Sequence, residues 1–449
     1  MPGPSNSRAI AWLRGELPGL VQQGVLTAEA AAALEQHYAV REEKGGSSFG
    51  FVLLATIGSA LIGAGIILLI AHNWDDLSRT TRCVLAFLPL VVAILLGGFV
   101  LARRDDSPAW RESVAIFDIA SAGASIALVS QIFQIQGSFA DFMNVWLFLS
   151  IPVAYLFRSR VAELAYITGT AVWMTSMAPF WGYNPPGRLL FWLLLLLVIP
   201  FFIADVRQFP SGWMHRTLSL ALVVAAAIGV GATVELAHSE LGGPAFAGLF
   251  ALIYLIGMIR QGDPNAPLTT FTVLGGLGIA ATSVIFSFTE NWDFSDPIWV
   301  KDPTTEQQFA IAIALAFPIL SILLAGWCLT KGKTQFSWLA AALPLVALLA
   351  RLFFPLLSNP AQHHSQLMDS AAFLFNVYTL ALGVEFLIRG IRADSLVRAN
   401  FGLLVVAVLA LCRFFDSDLS FVVRGLGFIV VGAAFLVGNL VLFRRQRAA

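Results

Sequence analysis

The chain contains long, unbroken apolar runs, and these constrain its fold more than any other feature. Runs such as 51–71 and 83–102 reach the ~20 residues that an α-helix needs to cross a lipid bilayer. The strands of a membrane barrel would be about half as long and would alternate apolar with polar side chains. Because the runs are continuous, they predict membrane-spanning α-helices.

Composition excludes a water-soluble alternative. Of the 449 residues, 58% are hydrophobic and 12% are charged, whereas a soluble domain carries roughly 25% charged residues. A soluble protein of this composition would expose large apolar patches and would associate through them. The formal net charge is zero, so the sequence predicts no basic surface for nucleic acid.

We predict an all-α fold, a polytopic integral membrane helical bundle of about fourteen transmembrane helices within residues 49–443. The fourth, sixth and thirteenth segments are short, so the total stays open by one helix in either direction. The predicted segments lie near 49–71, 83–102, 113–133, 143–157, 161–181, 189–204, 215–237, 244–260, 267–288, 307–330, 336–357, 368–388, 397–412 and 419–443.

Residues 1–48 predict a small cytoplasmic helical hairpin with a flexible linker at its end. Gly24 is expected to stop the first helix, and Thr27 is expected to cap the start of the second. The region has no apolar core typical of a signal peptide, so we expect the first spanning segment to act as an uncleaved start signal. Residues 444–449 form a basic tail.

The distribution of Lys and Arg predicts the orientation. With the N-terminus inside, the inner regions carry 20 of the 27 basic residues and the outer loops carry 5. Cytoplasmic loops of membrane proteins are enriched in these residues. The bias therefore predicts a bacterial cytoplasmic (inner) membrane protein with both termini in the cytoplasm.

Several stretches of the N-terminal part resemble a known family. They are Gly24-Val25-Leu26-Thr27 with Tyr38, Ala71-His72-Asn73-Trp74-Asp75, Trp110-Arg111-Glu112, Ser130-Gln131-Ile132-Phe133-Gln134-Ile135, and the stretch from Trp146 to Tyr155. Through them, roughly residues 1–180 resemble a bacterial family of predicted membrane proteins catalogued as domain of unknown function 2157. The resemblance implies a helical architecture and a membrane location, and it carries over no catalytic residue.

The sequence contains no signature of catalysis or of a metal site, such as His-Glu-x-x-His or paired cysteines, so it predicts no metal and no cofactor. The three cysteines lie in or beside apolar runs, which favours a packing role; they are Cys83, Cys328 and Cys412. In the ninth segment, Gly275, Gly276 and Gly278 predict close contact with a neighbouring helix.

Three arginines gather in the outer half of the last predicted segments, against the general trend: Arg351, Arg413 and Arg424. Asp369 and Asp416 lie near the same level. Two interpretations stay open. Either Arg–Asp pairs such as Arg413 with Asp416 lock the helices together, or part of the arginine charge binds an anionic ligand that enters from outside.

A second polar group follows the first segment, where His72, Asn73 and Asp75 surround Trp74. The residues after the ninth segment repeat the Asn-Trp-Asp order at 291–293. One interpretation is an outer site that binds a ligand or responds to pH through the histidine. The other is an interfacial tryptophan with an Asn or Asp helix cap.

The third segment is the most polar of the N-terminal half, with Asp118 inside it and Gln131 and Gln134 at its outer end. Because lipid offers these groups no hydrogen bonds, the segment is predicted to lie inside the bundle. The polar groups then either hold helices together by hydrogen bonds or pass protons or ions.

These observations support three hypotheses about function. The first is a transporter-like or ligand-handling protein with an outward-facing polar cavity and a small anionic or lipid-linked ligand. The second is a membrane-embedded enzyme that acts on a lipid-linked or glycan substrate at the outer face, with His72, Asp75 or Asp76 as acid or base. The third is a sensor or scaffold in which residues 1–48 dock a partner.

The topology is directly testable. A reporter fused after His72 is expected on the outer side of the membrane, because this residue follows the first predicted segment of a chain that starts inside. A reporter that is active only outside the cytoplasm measures this, and a fusion within residues 1–48 is the cytoplasmic control. Cytoplasmic location of the His72 fusion would overturn the topology.

Overall fold

The structure is a computed structural model of the chain. It describes residues 16–34, 74–177, 187–208, 212–237, 240–261, 268–292, 302–332, 336–356, 364–393 and 395–416, together with Ile429, Gly432 and Ala433. The chain divides into two compact units, Met1–Leu85 and Ala86–Ala449. The first and last predicted spanning segments and the basic tail lie essentially outside the described residues.

All regular structure in the described ranges is helical, which confirms the predicted all-α fold. The α-helices are α1 (Arg79–Arg103), α2 (Pro108–Phe133), α3 (Phe139–Phe157), α4 (Arg160–Ser176), α5 (Leu190–Gln208), α6 (Trp213–Ala237), α7 (Gly242–Gln261), α8 (Thr270–Phe286), α9 (Thr305–Thr330), α10 (Trp338–Leu356), α11 (His364–Arg392) and α12 (Leu396–Asp416). Two short 3-10 helices cover Trp74–Asp76 and Thr289–Asn291.

Length and apolar composition identify membrane spans among these helices. In the part of the chain that the structure describes, nine helices are long and apolar enough to cross a bilayer: α1, α2, α3, α6, α7, α9, α10, α11 and α12. Helices α5 and α8 are shorter and also apolar. The chain is therefore a multi-pass helical membrane protein, while a total of fourteen spans remains a prediction.

Residues 16–22 and 28–34 are helical and flank a turn. Gly24 lies in this turn with φ +71°, a left-handed conformation that glycine adopts without steric cost. The hydroxyl of Thr27 accepts a hydrogen bond from the Ala30 backbone N–H at 3.2 Å. Both local features agree with the expected helix stop and helix cap, and the division of the chain at residue 48 stays a prediction.

Several helices begin where a polar side chain satisfies the free backbone N–H groups of the first turn. At α3, Ser138 accepts from the Asp141 N–H, and the Asp141 carboxylate accepts from the Ser138 N–H at 2.8 Å. Thr304 and Gln307 form the same reciprocal capping box at α9. Residues close together in the sequence therefore determine where α3 and α9 begin.

Helices α7 and α8 cross in close contact through glycine. A Cβ atom added to Gly275 of α8 would lie 2.4 Å from the Tyr254 backbone nitrogen of α7. A Cβ added to Gly257 of α7 would lie 2.4 Å from the Thr272 backbone nitrogen. The two backbones therefore approach at a distance that only glycine permits, which confirms the close packing predicted at Gly275.

Helix α7 is central to the unit that begins at Ala86. It packs against α6, α8, α9 and α10. One hydrophobic core contains Trp173 and Phe191, and a second contains Phe375. Helix α7 contributes Leu249 to the first core and Leu255 to the second, so it joins the two halves of the packed interior.

The helices of this unit alternate in direction. Short connections make sequential helices antiparallel neighbours, and the connection between α3 and α4 is only Arg158 and Ser159. At the opposite end, the Gly187 N–H donates to the Glu306 carboxylate at 3.0 Å, which joins the starts of α5 and α9. We call the end where α4 and α10 begin the predicted inner end, and the other the predicted outer end.

Replacing Gly275 with Ala is expected to destabilise the protein by about 1–3 kcal/mol, because the new methyl group overlaps the backbone of α7. Gly326→Ala in α9 is the matched control, since no atom lies within 4 Å of its added Cβ and alanine favours the helix. Thermal unfolding of both purified variants in detergent measures the difference. An equal midpoint for the two variants would contradict the close crossing.

Candidate functional site

Arg351 is buried at the predicted outer end, with 8% of its surface exposed. Its guanidinium forms an ion pair with Glu240, which lies just before α7. The same Nη2 atom donates to the Asn291 carbonyl at 3.1 Å, and the guanidinium lies 5.2 Å from the centre of the Trp292 ring. A carboxylate, a carbonyl and an aromatic face thus surround this buried cation.

Arg413 of α12 contacts the same part of the chain from another side. Its guanidinium lies 4.3 Å from the centre of the Phe288 ring, and its Nη2 donates to the Ser287 hydroxyl at 3.4 Å. Asn376 of α11 donates to the Ser287 carbonyl at 3.1 Å. We call residues 287–292 the α8 connection. Three C-terminal helices, α10, α11 and α12, therefore hold it.

Trp292 is almost fully buried, with 1% of its surface exposed, so it is not the interfacial tryptophan that one interpretation expected. Its indole N–H donates to the Phe286 carbonyl at 2.6 Å. The helix cap that the same interpretation expected is present at the end of α8, where the Asn291 side chain donates to the Ile285 carbonyl at 3.0 Å. In the first unit, the Arg82 guanidinium similarly lies 5.8 Å from the Trp74 ring centre.

The other predicted site residues whose side chains the structure describes do not converge with these arginines. Asp369 is exposed on α11, and Asp118 is half-buried in α2. Gln131 and Gln134 are exposed, and Gln134 takes a left-handed conformation with φ 51° where α2 ends. The sequence placed the two glutamines inside the bundle, but the structure places them at its surface, because α2 ends at Phe133.

Some predicted site residues lie outside the described part of the chain. They are His72, Asn73, Arg424 and the side chains of Asp75 and Asp416. Pairing of Arg413 with Asp416 therefore stays a prediction, as does ligand binding by the whole set. The carboxylate found beside Arg351 is Glu240, which sequence reasoning did not select because it lies far away along the chain.

A large apolar groove runs between α5, α6, α7 and α9, with a volume of about 810 Å³. Trp192 and Phe317 line one end, with ring centres 5.3 Å apart. Phe202 and Phe271 line the other end, with ring centres 5.9 Å apart. Helix α5 lines the groove from Trp192 to Val206, roughly 21 Å at the helical rise of ~1.5 Å per residue. We call this cavity the α5–α7 groove.

Arg260 is the charged residue that lines the α5–α7 groove among the described residues. It lies near the end of α7, at the predicted inner end, and its side chain is exposed. No ion pair of Arg260 is found with any residue that the structure describes. Sequence reasoning missed it, because a single arginine after an apolar run is the ordinary signal of a cytoplasmic loop.

At the predicted inner end, a carboxylate from another helix caps the start of α4. Glu112 of α2 accepts from the Ser159 hydroxyl, from the Arg160 N–H at 3.0 Å and from the Val161 N–H at 3.1 Å. The positive end of the helix dipole favours a negative group at this position. Glu112 belongs to one of the stretches on which the family resemblance depends.

The start of α10 is capped in the same way. Glu385 of α11 accepts from the Ser337 hydroxyl at 2.7 Å, from the Trp338 N–H at 2.9 Å and from the Leu339 N–H at 3.0 Å. Arg389 donates to the same carboxylate at 2.8 Å. Glu112 comes before α4, the helix that it caps, whereas Glu385 comes after α10, the helix that it caps. The two caps therefore have opposite orders along the chain.

Comparison with known proteins agrees with the N-terminal resemblance. A family model described as a predicted membrane protein, domain of unknown function 2157, matches residues 18–163. No curated protein and no solved structure gives a significant match. The matched range contains α1, α2, α3 and the Glu112 cap, whereas the α5–α7 groove and the α8 connection lie outside it.

Removing the buried cation is expected to destabilise the C-terminal helices. Arg351→Met leaves the Glu240 carboxylate and the Asn291 carbonyl without their donor, and we expect a loss of about 3 kcal/mol in unfolding free energy. Lys331→Met, at an exposed cation of the predicted inner end, is the control. Thermal unfolding followed by tryptophan fluorescence compares them. Equal midpoints would contradict a structural role of Arg351.

Proposed function

We propose that this membrane protein is a ligand-handling protein that binds an anionic lipid in the α5–α7 groove. The observation that carries the proposal is the combination of a long apolar groove with a single arginine at its predicted inner end. An apolar chain with a negative group at one end is complementary to this arrangement.

The dimensions of the groove suit an acyl chain. Its volume of about 810 Å³ lies within the range of roughly 300–1,000 Å³ that is usual for ligand sites. Its length along α5, roughly 21 Å, exceeds the ~15 Å depth of one leaflet, which is half of the hydrocarbon core. Residues such as Leu196 and Ile203 line it and are exposed at its open side, which gives access from the bilayer.

The charge at one end selects the headgroup. The Arg260 guanidinium matches the geometry of phosphate oxygens. Basic pockets between transmembrane helices on the cytoplasmic side bind anionic headgroups, because the cytoplasmic leaflet carries the anionic lipids. With the predicted orientation, Arg260 lies on that side. An anionic phospholipid of the surrounding membrane is therefore the ligand that fits.

Arg260 is a better candidate for a ligand anion than the arginines selected from the sequence. Arg351 and Arg413 both contact the α8 connection, and neither lines the α5–α7 groove. Their contacts support a structural role at the predicted outer end. Transport through an outward-facing cavity, catalysis at the outer face and sensing by residues 1–48 remain separate hypotheses.

Lipid selectivity tests the proposal through Trp192, which lines the groove. The full-length protein is placed in nanodiscs that contain either phosphatidylglycerol or phosphatidylcholine with brominated acyl chains, which quench nearby tryptophans. The Trp192 signal is the difference between the wild type and Trp192→Phe. We expect stronger quenching of Trp192 by the anionic lipid, because Arg260 retains its headgroup.

Matched variants distinguish the effect of Arg260 on lipid preference from the effect of general surface charge. Arg260→Gln is expected to remove the preference for phosphatidylglycerol. Arg216→Gln, an exposed arginine at the same end that does not line the groove, is expected to keep it. Equal quenching by the two lipids in the wild type, or an unchanged preference in Arg260→Gln, would refute the proposal.

A further inference from the structure

Glu163 is a buried carboxyl group without a hydrogen-bond partner. It lies in the first turn of α4, and 0% of its surface is exposed. Neither of its carboxyl oxygens accepts or donates a hydrogen bond within the described residues. Glu112, which lies at the same end of the bundle, accepts three hydrogen bonds. Glu163 therefore has no role in capping or in an ion pair that the structure shows.

The neighbours of Glu163 are charged. Asp205 of α5, Arg160 of α4 and Glu112 of α2 are the groups that act on it electrostatically. Asp205 is buried, and one of its oxygens pairs with Arg160 while its Oδ2 atom has no partner among the described residues. Arg160 is thus the cation among these groups, and its guanidinium pairs with Asp205. Helix α3, which also packs against α4, has its charged residue Asp141 at the opposite end.

His215 of α6 extends this group toward the α5–α7 groove. Its ring is buried and stacks on Phe202, with ring centres 5.9 Å apart. Its Nδ1 atom has no hydrogen-bond partner in the described part of the chain. Arg260, Asp205 and Arg160 are the charged groups that act on it. Asp205 and Arg160 are therefore common neighbours of Glu163 and His215.

Fully buried polar atoms without a protein partner call for another partner, such as a proton or an ordered water. Burying a polar group without hydrogen bonds costs several kcal/mol, and an ionised group costs far more. Here four acceptor or titratable atoms on three helices remain without partners: both oxygens of Glu163, Oδ2 of Asp205 and Nδ1 of His215.

The chemistry of the group favours a proton over a metal ion. Hard cations such as Ca²⁺ take about 6–8 oxygen ligands. No cluster of three His, Cys, Asp or Glu side chains in the described ranges has the arrangement of a metal site. A proton needs only one lone pair, which a carboxylate oxygen or an unprotonated imidazole nitrogen supplies.

We propose that Glu163, Asp205 and His215 form a proton-binding centre in which Glu163 takes up and releases one proton. In the loaded state, Glu163 carries the proton as a neutral carboxylic acid. On release, its O–H bond breaks, Asp205 Oδ2 or His215 Nδ1 accepts the proton, and water at the predicted inner end then removes it. Glu163 remains as a carboxylate beside Arg160. None of its three residues lines the α5–α7 groove, and it would give the protein a proton-dependent step.

Infrared difference spectroscopy tests the centre in the full-length protein in lipid nanodiscs. A protonated carboxylic acid has a C=O stretch that is distinct from the bands of a carboxylate. We expect such a band near neutral pH, where solvent-exposed carboxyl groups are ionised, its loss as the pH rises, and its absence from Glu163→Gln at the same near-neutral pH. Glu290→Gln, at an exposed glutamate, is the control and is expected to keep the band. The same band in Glu163→Gln would overturn the proposal.

A second variant covers the case in which Glu163→Gln does not fold. Asp205→Asn keeps the Glu163 carboxyl and removes a neighbouring charge, so it is expected to change the pH at which the band disappears. An unchanged midpoint in Asp205→Asn would refute a shared centre. Addition of Na⁺ alone at constant pH is the third measurement. Loss of the band on adding Na⁺ would identify a cation site and overturn the assignment to a proton.

Discussion

Every helix start leaves backbone N–H groups without an acceptor inside the helix, and much of this structure depends on how those groups find acceptors. At the starts of α4 and α10, the acceptor is a glutamate from a different helix. Each of these carboxylates binds a serine hydroxyl and two successive backbone N–H groups. Tertiary contacts therefore stabilise the helix ends as well as the helix packing, and the starts of α4 and α10 depend on α2 and α11.

The same end of the bundle contains polar groups of two kinds. Glu112 and Glu385 have all their contacts with protein, and their positions follow from the need to satisfy backbone. Glu163 lies one turn from the first of these caps and has no such contacts. Glu163 is fully buried and lacks hydrogen bonds among the described residues, whereas the two caps are only partly buried and have them. This contrast separates groups that maintain the fold from groups that are available for chemistry. Arg260 belongs with the second kind, since it lines an apolar groove.

Sequence reasoning succeeded where the physics is local or repeats along one helix. Apolar length predicted the helices, and small residues predicted the close crossing at Gly275. It could not predict contacts between distant segments. The partner of Arg351 is Glu240, and the burial of Trp292 depends on α11. Glu163 was missed for the same reason, because its environment is made by helices that the sequence does not identify as neighbours.

The α8 connection has a consequence for biosynthesis. Residues 287–292 are translated before α10, α11 and α12, which supply Arg351, Asn376 and Arg413 to hold them. When α8 leaves the ribosome, the groups that will fix its far end do not yet exist. The final arrangement of this end is therefore reached only after the last of these helices has entered the bilayer. Until then, the growing chain must keep the Trp292 ring and the Asn291 carbonyl in provisional surroundings.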